Sequence, residues 1–347
     1  SGPPTDSNHL PRRLARVGAM EATRLMFGLL LAGSASAGLP DNFPSVTIKG
    51  IKGDMAMPLY GLGTWQYNSS RAQHAVELAF GMGYRHVDTA YIYENQVGVG
   101  AALKGMRLHR EQFFVTSKIP GGLNASASKA ALGKSLQDLG LEYVDLMLLH
   151  FPFDLQGQGS PAARKEQWQL LQDWALAGKA KAVGVSHYCR HHVDDILPIS
   201  KVPVAVNQVQ YHVGMGNAVD TANDDKAFFE QKGILYQSFS PLCGPCSPPD
   251  NTELLKGDLV TKIGKSHNKS AAQVALKWLV QQGIPVIPKT DLPAHLKENM
   301  ELFDWTLTAD DMRSLSAVTS PAVGGGPSAT DSGDCGTTQE ADYPLVV

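Results

Sequence analysis

Residues 83–98 read Gly83-Tyr84-Arg85-His86-Val87-Asp88-Thr89-Ala90-Tyr91-Ile92-Tyr93-Glu94-Asn95-Gln96-Val97-Gly98. The stretch puts Asp88 and Tyr93, five residues apart, at the end of a strand-like run. Two later strand-like runs also end on a polar group. Val115-Thr116-Ser117-Lys118 ends on a lysine, and Leu148-Leu149-His150 on a histidine. Asp88 and Lys118 are 30 residues apart, and Lys118 and His150 are 32. That is about the length of one strand-plus-helix unit. Polar groups at the same point of three successive units meet on one rim of a parallel β/α barrel.

The alternation continues outward in both directions. Short apolar runs predict strands at 59–62, 86–88, 113–119, 144–150, 182–185, 204–209, 234–239 and 285–287. Helical periodicity predicts helices at 72–80, 130–139, 162–176, 271–281 and 294–302, and an additional one at 309–318. Gly140, Gly178, Gly233 and Gly283 follow helical segments and suit left-handed caps. Val46-Thr47-Ile48 and Met55-Ala56-Met57 flank Gly50 and Gly53 and predict a small β-hairpin ahead of the main domain. Eight strands with intervening helices predict one closed (β/α)8 TIM barrel rather than two domains, with an N-terminal hairpin and a C-terminal extra helix and tail. The expected division is 1–37 as leader or disordered extension, 38–320 as barrel and 321–347 as a Gly-, Ser- and Thr-rich tail.

Composition fits a large-cored globular chain: 347 residues, 43% hydrophobic, 18% charged, net charge −3. There is no dense Lys/Arg stripe, which argues against nucleic acid as a partner. The basic patch Arg12-Arg13-Leu14-Ala15-Arg16 is short and lies outside the predicted domain. No apolar run reaches the length of a membrane span. Met20, Arg24, the apolar stretch 25–32 and Ala35-Ser36-Ala37 have the order of a secretory leader, so a signal peptide is expected at 20–37. An organellar transit peptide or an extension that includes translated upstream sequence is the alternative, with a cytoplasmic location also open. Four cysteines do not define a disulfide scaffold in a chain this long. Cys243-Gly244-Pro245-Cys246 has the spacing of a thiol redox pair. It follows Ser240-Pro241-Leu242 and precedes a proline-rich loop, so a structural disulfide or two free thiols is the simpler expectation.

The rim residues form a coherent chemical set. A phenol with a pKa near 10 is a poor acid at neutral pH unless its ionised form is assisted. A neighbouring ammonium favours the phenolate, and a carboxylate keeps that ammonium charged and placed. Tyr93, Lys118 and Asp88 supply such a relay, and His150 supplies a neutral donor or proton shuttle. Singly, Asp88 reads as a strand-end cap, Lys118 as a solvated charge and His150 as a core histidine. Their order and flanks together favour the chemical reading.

From about Val46 to Val318 the chain resembles the aldo-keto reductases, in a pattern near the diketogluconate-reductase-like and prostaglandin-F-synthase-like branches. Gly61-Leu62-Gly63-Thr64-Trp65 resembles the family's first-strand signature, and residues 83–98 resemble its second. The resemblance implies NAD(P)H-dependent reduction of aldehydes or ketones, with Asp88, Tyr93, Lys118 and His150 as catalytic residues and Tyr93 as proton donor. It implies NADPH, with NADH possible, held without a Rossmann motif. Ser186, His187 and Gln208 fall at the carboxamide, and Phe239, followed by Ser240 and Leu242, at the nicotinamide ring. Lys289, Thr290, His295, Glu298 and Asn299 fall at the adenosine end. Trp65, Phe151 and His150 fall at the substrate pocket. No metal is implied, and a monomer or weak oligomer is expected.

Four positions depart from the family pattern. His187 replaces an asparagine and could still donate a hydrogen bond. His295 replaces the arginine that grips a 2′-phosphate; a neutral imidazole has one donor where arginine has a permanently charged fork. Asp291 adds a negative charge nearby and could accept from a ribose hydroxyl. Phe151 and Pro120 stand where aromatic residues are frequent, which predicts a wider mouth. Two other functions fit less of the sequence: a cofactor-binding regulatory subunit on the same barrel, and a thiol oxidoreductase using Cys243 and Cys246.

Overall fold

The computed structural model describes residues 38–155, 158–215, 225–243 and 252–318. The expected leader at 1–37, the tail at 321–347, Cys246 and Cys335 lie outside these residues. Strands β1 (Ser45–Gly50) and β2 (Gly53–Pro58) form the expected hairpin, with Val46 opposite Met57 and Ile48 opposite Met55. Seven parallel strands follow in sequential order: β3 (Leu62–Gly63), β4 (His86–Asp88), β5 (Phe114–Ile119), β6 (Val144–Leu149), β7 (Ala180–Ser186), β8 (Val204–Gln210) and β9 (Leu235–Phe239).

Closure comes from the segment around Val286. Tyr60 and Ser238, at the two open edges of the sheet, both bridge Val286 in parallel. Gly61 N donates to Val286 O at 2.9 Å, and Ile287 N donates to Ser238 O at 3.2 Å. The eighth strand expected at 285–287 is therefore reduced to a single bridge residue. Pro285 and Pro288 flank the segment and lack the N–H that would extend the ladder. The expected strand 59–62 is likewise shortened to Leu62–Gly63 plus the bridge at Tyr60.

Helices cover the outside of the barrel, and their ends are chemically specified. Asn68 caps Ser69–Gly81 by accepting from Arg71 N, and Asn124 caps Ala125–Leu139 by accepting from Ala127 N. Ser160 caps Pro161–Trp174, and Ser270 opens Ala271–Val280 with a reciprocal capping box. Gly140, Gly178, Gly233 and Gly283 all adopt positive φ, as their cap positions require. The helices expected at 294–302 and 309–318 end at Met300 and Ser316.

Apolar residues form two layers. The larger lies between strands and helices and includes Val87, Val115, Ile119, Met147, Leu149, Trp168 and Trp278. The smaller fills the barrel interior: Phe114, Leu146, Leu148, Ala182, Ala205 and Val206, plugged from below by Ile48 and Met57 of the hairpin.

Gly98, in the helix Gln96–Gly105, shows how tightly the outer layer packs. A Cβ there would collide with the Ser69 carbonyl at the start of the preceding helix. Gly98→Ala is expected to destabilise the fold by about 1–3 kcal/mol. At Gly133, within Ala125–Leu139, an added Cβ would meet nothing within 4 Å. Gly133→Ala is expected to stabilise by about 0.5–1 kcal/mol. Urea midpoints of the two variants check the contrast.

Candidate active site

The pleat of the strands brings the sequence-predicted rim residues together. Side chains alternate between the helix layer and the interior along each strand. Val87, Val115, Met147 and Leu149 point to the helix layer. Phe114, Leu146 and Leu148 point inward. Asp88, Lys118 and His150 keep the inward phase, at or just past the C-terminal ends of β4, β5 and β6.

Lys118 is fully buried and Asp88 nearly so. Lys118 Nζ donates to Asp88 Oδ1 at 2.5 Å, to Thr89 O at 3.2 Å and to Tyr93 Oη at 3.2 Å. Those acceptors match the three protons of the ammonium. Asp88 Oδ2 accepts from Gln208 Nε2 at 2.7 Å. Tyr93 ends a single 3₁₀ turn, Tyr91–Tyr93, stopped by Glu94 in the left-handed region. Asn95 ties this turn to the loop carrying Trp65. Its Nδ2 donates to the Thr64 and Tyr67 carbonyls at 2.8 and 2.9 Å, and its Oδ1 accepts from Thr89 Oγ1 at 2.9 Å.

Burial and charge compete within this cluster. Burial pushes the Tyr93 phenol above its ordinary value, against the pull of Lys118. Burial would lower Lys118, but Asp88 and Tyr93 outweigh it and hold the amine above its ordinary value. Burial pushes Asp88 up, and Lys118 and Gln208 oppose it. His150 is held well below its ordinary value by burial and by Lys118, so its ring is neutral. Its Nδ1 is enclosed with no partner among the described residues. A stranded lone pair costs less than a stranded N–H. The ring proton therefore sits on Nε2, and the Tyr93 ring lies 5.6 Å away, edge-on.

A second cluster adjoins the first. His150, Phe151, His187 and Phe239 form a chain of ring contacts at 4.4, 4.5 and 4.8 Å between centroids. Phe151 is buried, with its ring stacked on His150 and tilted against His187. His187 adopts a left-handed backbone, and burial holds its pKa down at about 4. Ser186 Oγ donates to Gln208 O at 2.8 Å. His187 Nδ1 lies 3.0 Å from His150 O and 2.9 Å from Ser186 Oγ.

The third group lies at the barrel seam. Lys289 Nζ donates to Gln66 Oε1 at 2.8 Å and lies over the Trp65 and Tyr67 rings. His295 is exposed. Asp291 is not a free carboxylate: Arg71 donates to it from Nε at 2.6 Å and from Nη2 at 3.1 Å. Glu298 accepts from Ser270 Oγ at 3.0 Å, and Asn299 is buried beside Tyr84. Thus Lys289, Thr290 and His295 are available at the seam, while Glu298 and Asn299 also hold the fold. Ser240 and Leu242 follow β9, and Ser240 O accepts from Cys243 N at 2.8 Å. Cys243 is buried and, like Cys189, disulfide-bonded. Among the described residues no His, Cys, Asp and Glu group could hold a metal, and no helix is long and apolar enough to cross a membrane.

Comparison with known proteins agrees with this architecture. Residues 59–320 match the model of the aldo/keto reductase family. The chain belongs to the aldo/keto reductase family. It is 34% identical over 284 residues to Aldo-keto reductase family 1 member A1 of Cricetulus griseus, covering 76% of this chain and 86% of that protein. It is 34% identical over 274 residues to glyoxal reductase of Bacillus subtilis, covering 78% and 92%. Among solved structures, an aldo/keto reductase from Brucella melitensis matches with a TM-score of 0.69 at 32% identity, covering 78% and 98%. The aldose reductase of Schistosoma japonicum matches at 0.69 and 26%, covering 87% and 99%. The chain is accordingly an oxidoreductase of NAD(P)H-dependent carbonyl reduction.

For this aldo/keto reductase, sequence reading missed Arg71, Asn95 and Gln237. Asn95 stood inside the opening stretch, and a polar residue beside two tyrosines was its only signal. Gln237 accepts from Gln208 Nε2 at 2.9 Å and stands in no motif. Arg71 opens a helix 220 residues from Asp291 and gives no local sign of its partner.

Several histidines carry depressed pKa values through burial: His86 at about 3, and His187 and His212 at about 4. Each binds its proton more weakly folded than unfolded. Their contribution is complete above pH 6.5 and is lost as pH falls from there towards the folded values. Between pH 6.5 and about pH 5 each loses up to about 2 kcal/mol. The urea midpoint is expected to fall steeply over that range. A flat profile from pH 7.5 to pH 5 contradicts neutral buried rings.

Proposed function

We propose that the Lys118 cluster performs the chemical step, with Tyr93 as the proton donor to the substrate carbonyl oxygen. The observation that carries this reading is Lys118 Nζ at 3.2 Å from Tyr93 Oη while bonded to Asp88. As the phenolic proton moves to the carbonyl oxygen, the phenolate forms beside a fixed ammonium. In a water-poor setting that attraction is larger than in water, and it acts where charge develops. Asp88 holds Lys118 charged and in place. His150 donates from Nε2 to the same oxygen and orients the carbonyl.

The residues present fit a nicotinamide cofactor, because Gln208 and His187 offer polar atoms with no partner among the described residues beside this cluster. A bound reduced nicotinamide supplies hydride to the carbonyl carbon. Ser186, His187 and Gln208 hold its carboxamide, and Phe239 packs on its ring, with Ser240 and Leu242 beside it. Lys289, Thr290 and His295 hold the adenosine end, with Glu298 and Asn299 bracing that helix. NADPH is the proposed cofactor, with NADH accepted. Trp65, Phe151 and His150 line the mouth. Small aldehydes are the proposed substrates, supported by the similarity to glyoxal reductase.

In this reading 38–320 is the catalytic barrel, 1–37 a leader with a secretory segment at 20–37, and 321–347 a tail. The disulfide bonds of Cys189 and Cys243 support an oxidising compartment.

Tyr93→Phe is expected to lower kcat for aldehyde reduction by about 10²–10⁴-fold while leaving NADPH affinity, read by fluorescence titration, unchanged. Full turnover by Tyr93→Phe would reject Tyr93 as the donor. Arg71→Ala leaves Asp291 uncompensated beside the phosphate end. It is expected to raise KM for NADPH by about five- to tenfold with little change for NADH. Equal effects on both cofactors would remove Asp291 from the 2′-phosphate region.

A further inference from the structure

The hydrogen-bond network around Ser186, His187 and Gln208 determines which atoms of that group can donate. Ser186 Oγ gives its proton to Gln208 O at 2.8 Å, so toward His187 it can only accept. The His150 carbonyl can only accept as well. Both atoms facing His187 Nδ1 are therefore acceptors, and Nδ1 must carry the ring proton. His187 Nε2 is left as a lone pair, with no partner among the described residues. The ring is neutral near pH 7, because burial keeps its pKa near 4. In this reading the free ring nitrogen of His187 accepts, where the sequence suggested that it could donate.

Gln208 is fixed in the same way. Its Nε2 meets Asp88 Oδ2 at 2.7 Å and Gln237 Oε1 at 2.9 Å. A carboxylate accepts only, so the amide nitrogen of Gln208 must face Asp88, and both of its protons are engaged. What remains is Oε1, again an acceptor with no partner among the described residues. Gln208 stands directly across from Ser186 in the β7–β8 ladder, and His187 N donates to Gln208 O at 3.0 Å. The two acceptors thus belong to neighbouring residues at one rim position.

We infer that this subsite reads the cofactor's carboxamide through its NH₂ group, with Gln208 Oε1 and His187 Nε2 each accepting one of the two amide protons. The inference rests on the proposed placement of the nicotinamide at Ser186, His187 and Gln208. It names a ligand feature: the amide nitrogen must carry two protons. A dinucleotide in which acetyl replaces the carboxamide keeps the carbonyl and loses both donors. One bearing a carboxylate sets negative charge against two acceptors.

Two measurements test it. Nitrogen-detected NMR of ¹⁵N-histidine-labelled protein, assigned with His187→Leu, reads the tautomer without cofactor. Protonation at Nδ1 is expected; an Nε2–H signal for His187 overturns the inference. Fluorescence titration then compares NADP⁺ with its 3-acetylpyridine analogue in wild type and in His187→Leu. The variant is expected to bind NADP⁺ about three- to tenfold more weakly, with the acetyl analogue nearly unchanged. Equal weakening of both ligands means His187 donates to the carbonyl they share, and it overturns the inference alone. No weakening of either, with 2′,5′-ADP binding retained as the folding control, removes the nicotinamide from this position and overturns the underlying reading as well.

Discussion

The ion pair of Lys118 with Asp88 constrains everything around it. Two opposite charges meet at 2.5 Å with almost no access to water. Removing ions from water costs several kcal/mol each, and one contact does not offset that. The remaining donors and acceptors must be matched, and they are. Lys118 uses its other protons on the Thr89 carbonyl and Tyr93 hydroxyl, and Asp88 uses its second oxygen on Gln208. Such a cluster is weak evidence for stability and stronger evidence for a unique arrangement. Its members cannot rotate without stranding a buried charge.

That requirement reaches beyond the cluster. Because Asp88 fixes the amide of Gln208, a residue on β8 is oriented by a charge on β4, across the barrel interior. Because Thr89 both accepts from Lys118 and donates to Asn95, the turn bearing Tyr93 is joined to the loop bearing Trp65. The residues proposed for proton transfer, cofactor and substrate therefore share one hydrogen-bond network. The barrel makes this possible. Parallel strands place all C-terminal ends on one rim, and the pleat sends alternate side chains inward at a common depth.

Much of this was legible in the sequence because it depends on period and spacing. Strand ends recurring every 30 or so residues and glycine after several helices are local properties, and His86–Asp88 was read to the residue. The final strand was not, because two prolines remove ladder donors from a run that is otherwise strand-like. Phe151 was placed at the substrate pocket because it follows His150 and stands where a larger aromatic residue is frequent. It lies past the end of β6, where alternation no longer governs direction, and its ring stacks on His150 and tilts against His187. The pair Arg71–Asp291 was invisible because closure of the barrel, not any local pattern, brings residue 71 to residue 291.

The least legible property is the sense of the hydrogen bonds around Ser186, His187 and Gln208, the proposed carboxamide subsite. A replacement of asparagine by histidine reads as conservative, since both side chains can donate and accept. Which of these His187 does is set by two atoms no motif records: the carbonyl oxygen of His150, and the hydroxyl of Ser186, already committed to Gln208. The same holds for Gln208, whose free atom is chosen by Asp88 and therefore by Lys118. In the proposed roles, reaction chemistry and ligand recognition are thus not independent. The charge of Lys118 beside Tyr93 also decides, through Asp88, which atom of the Gln208 amide is left free.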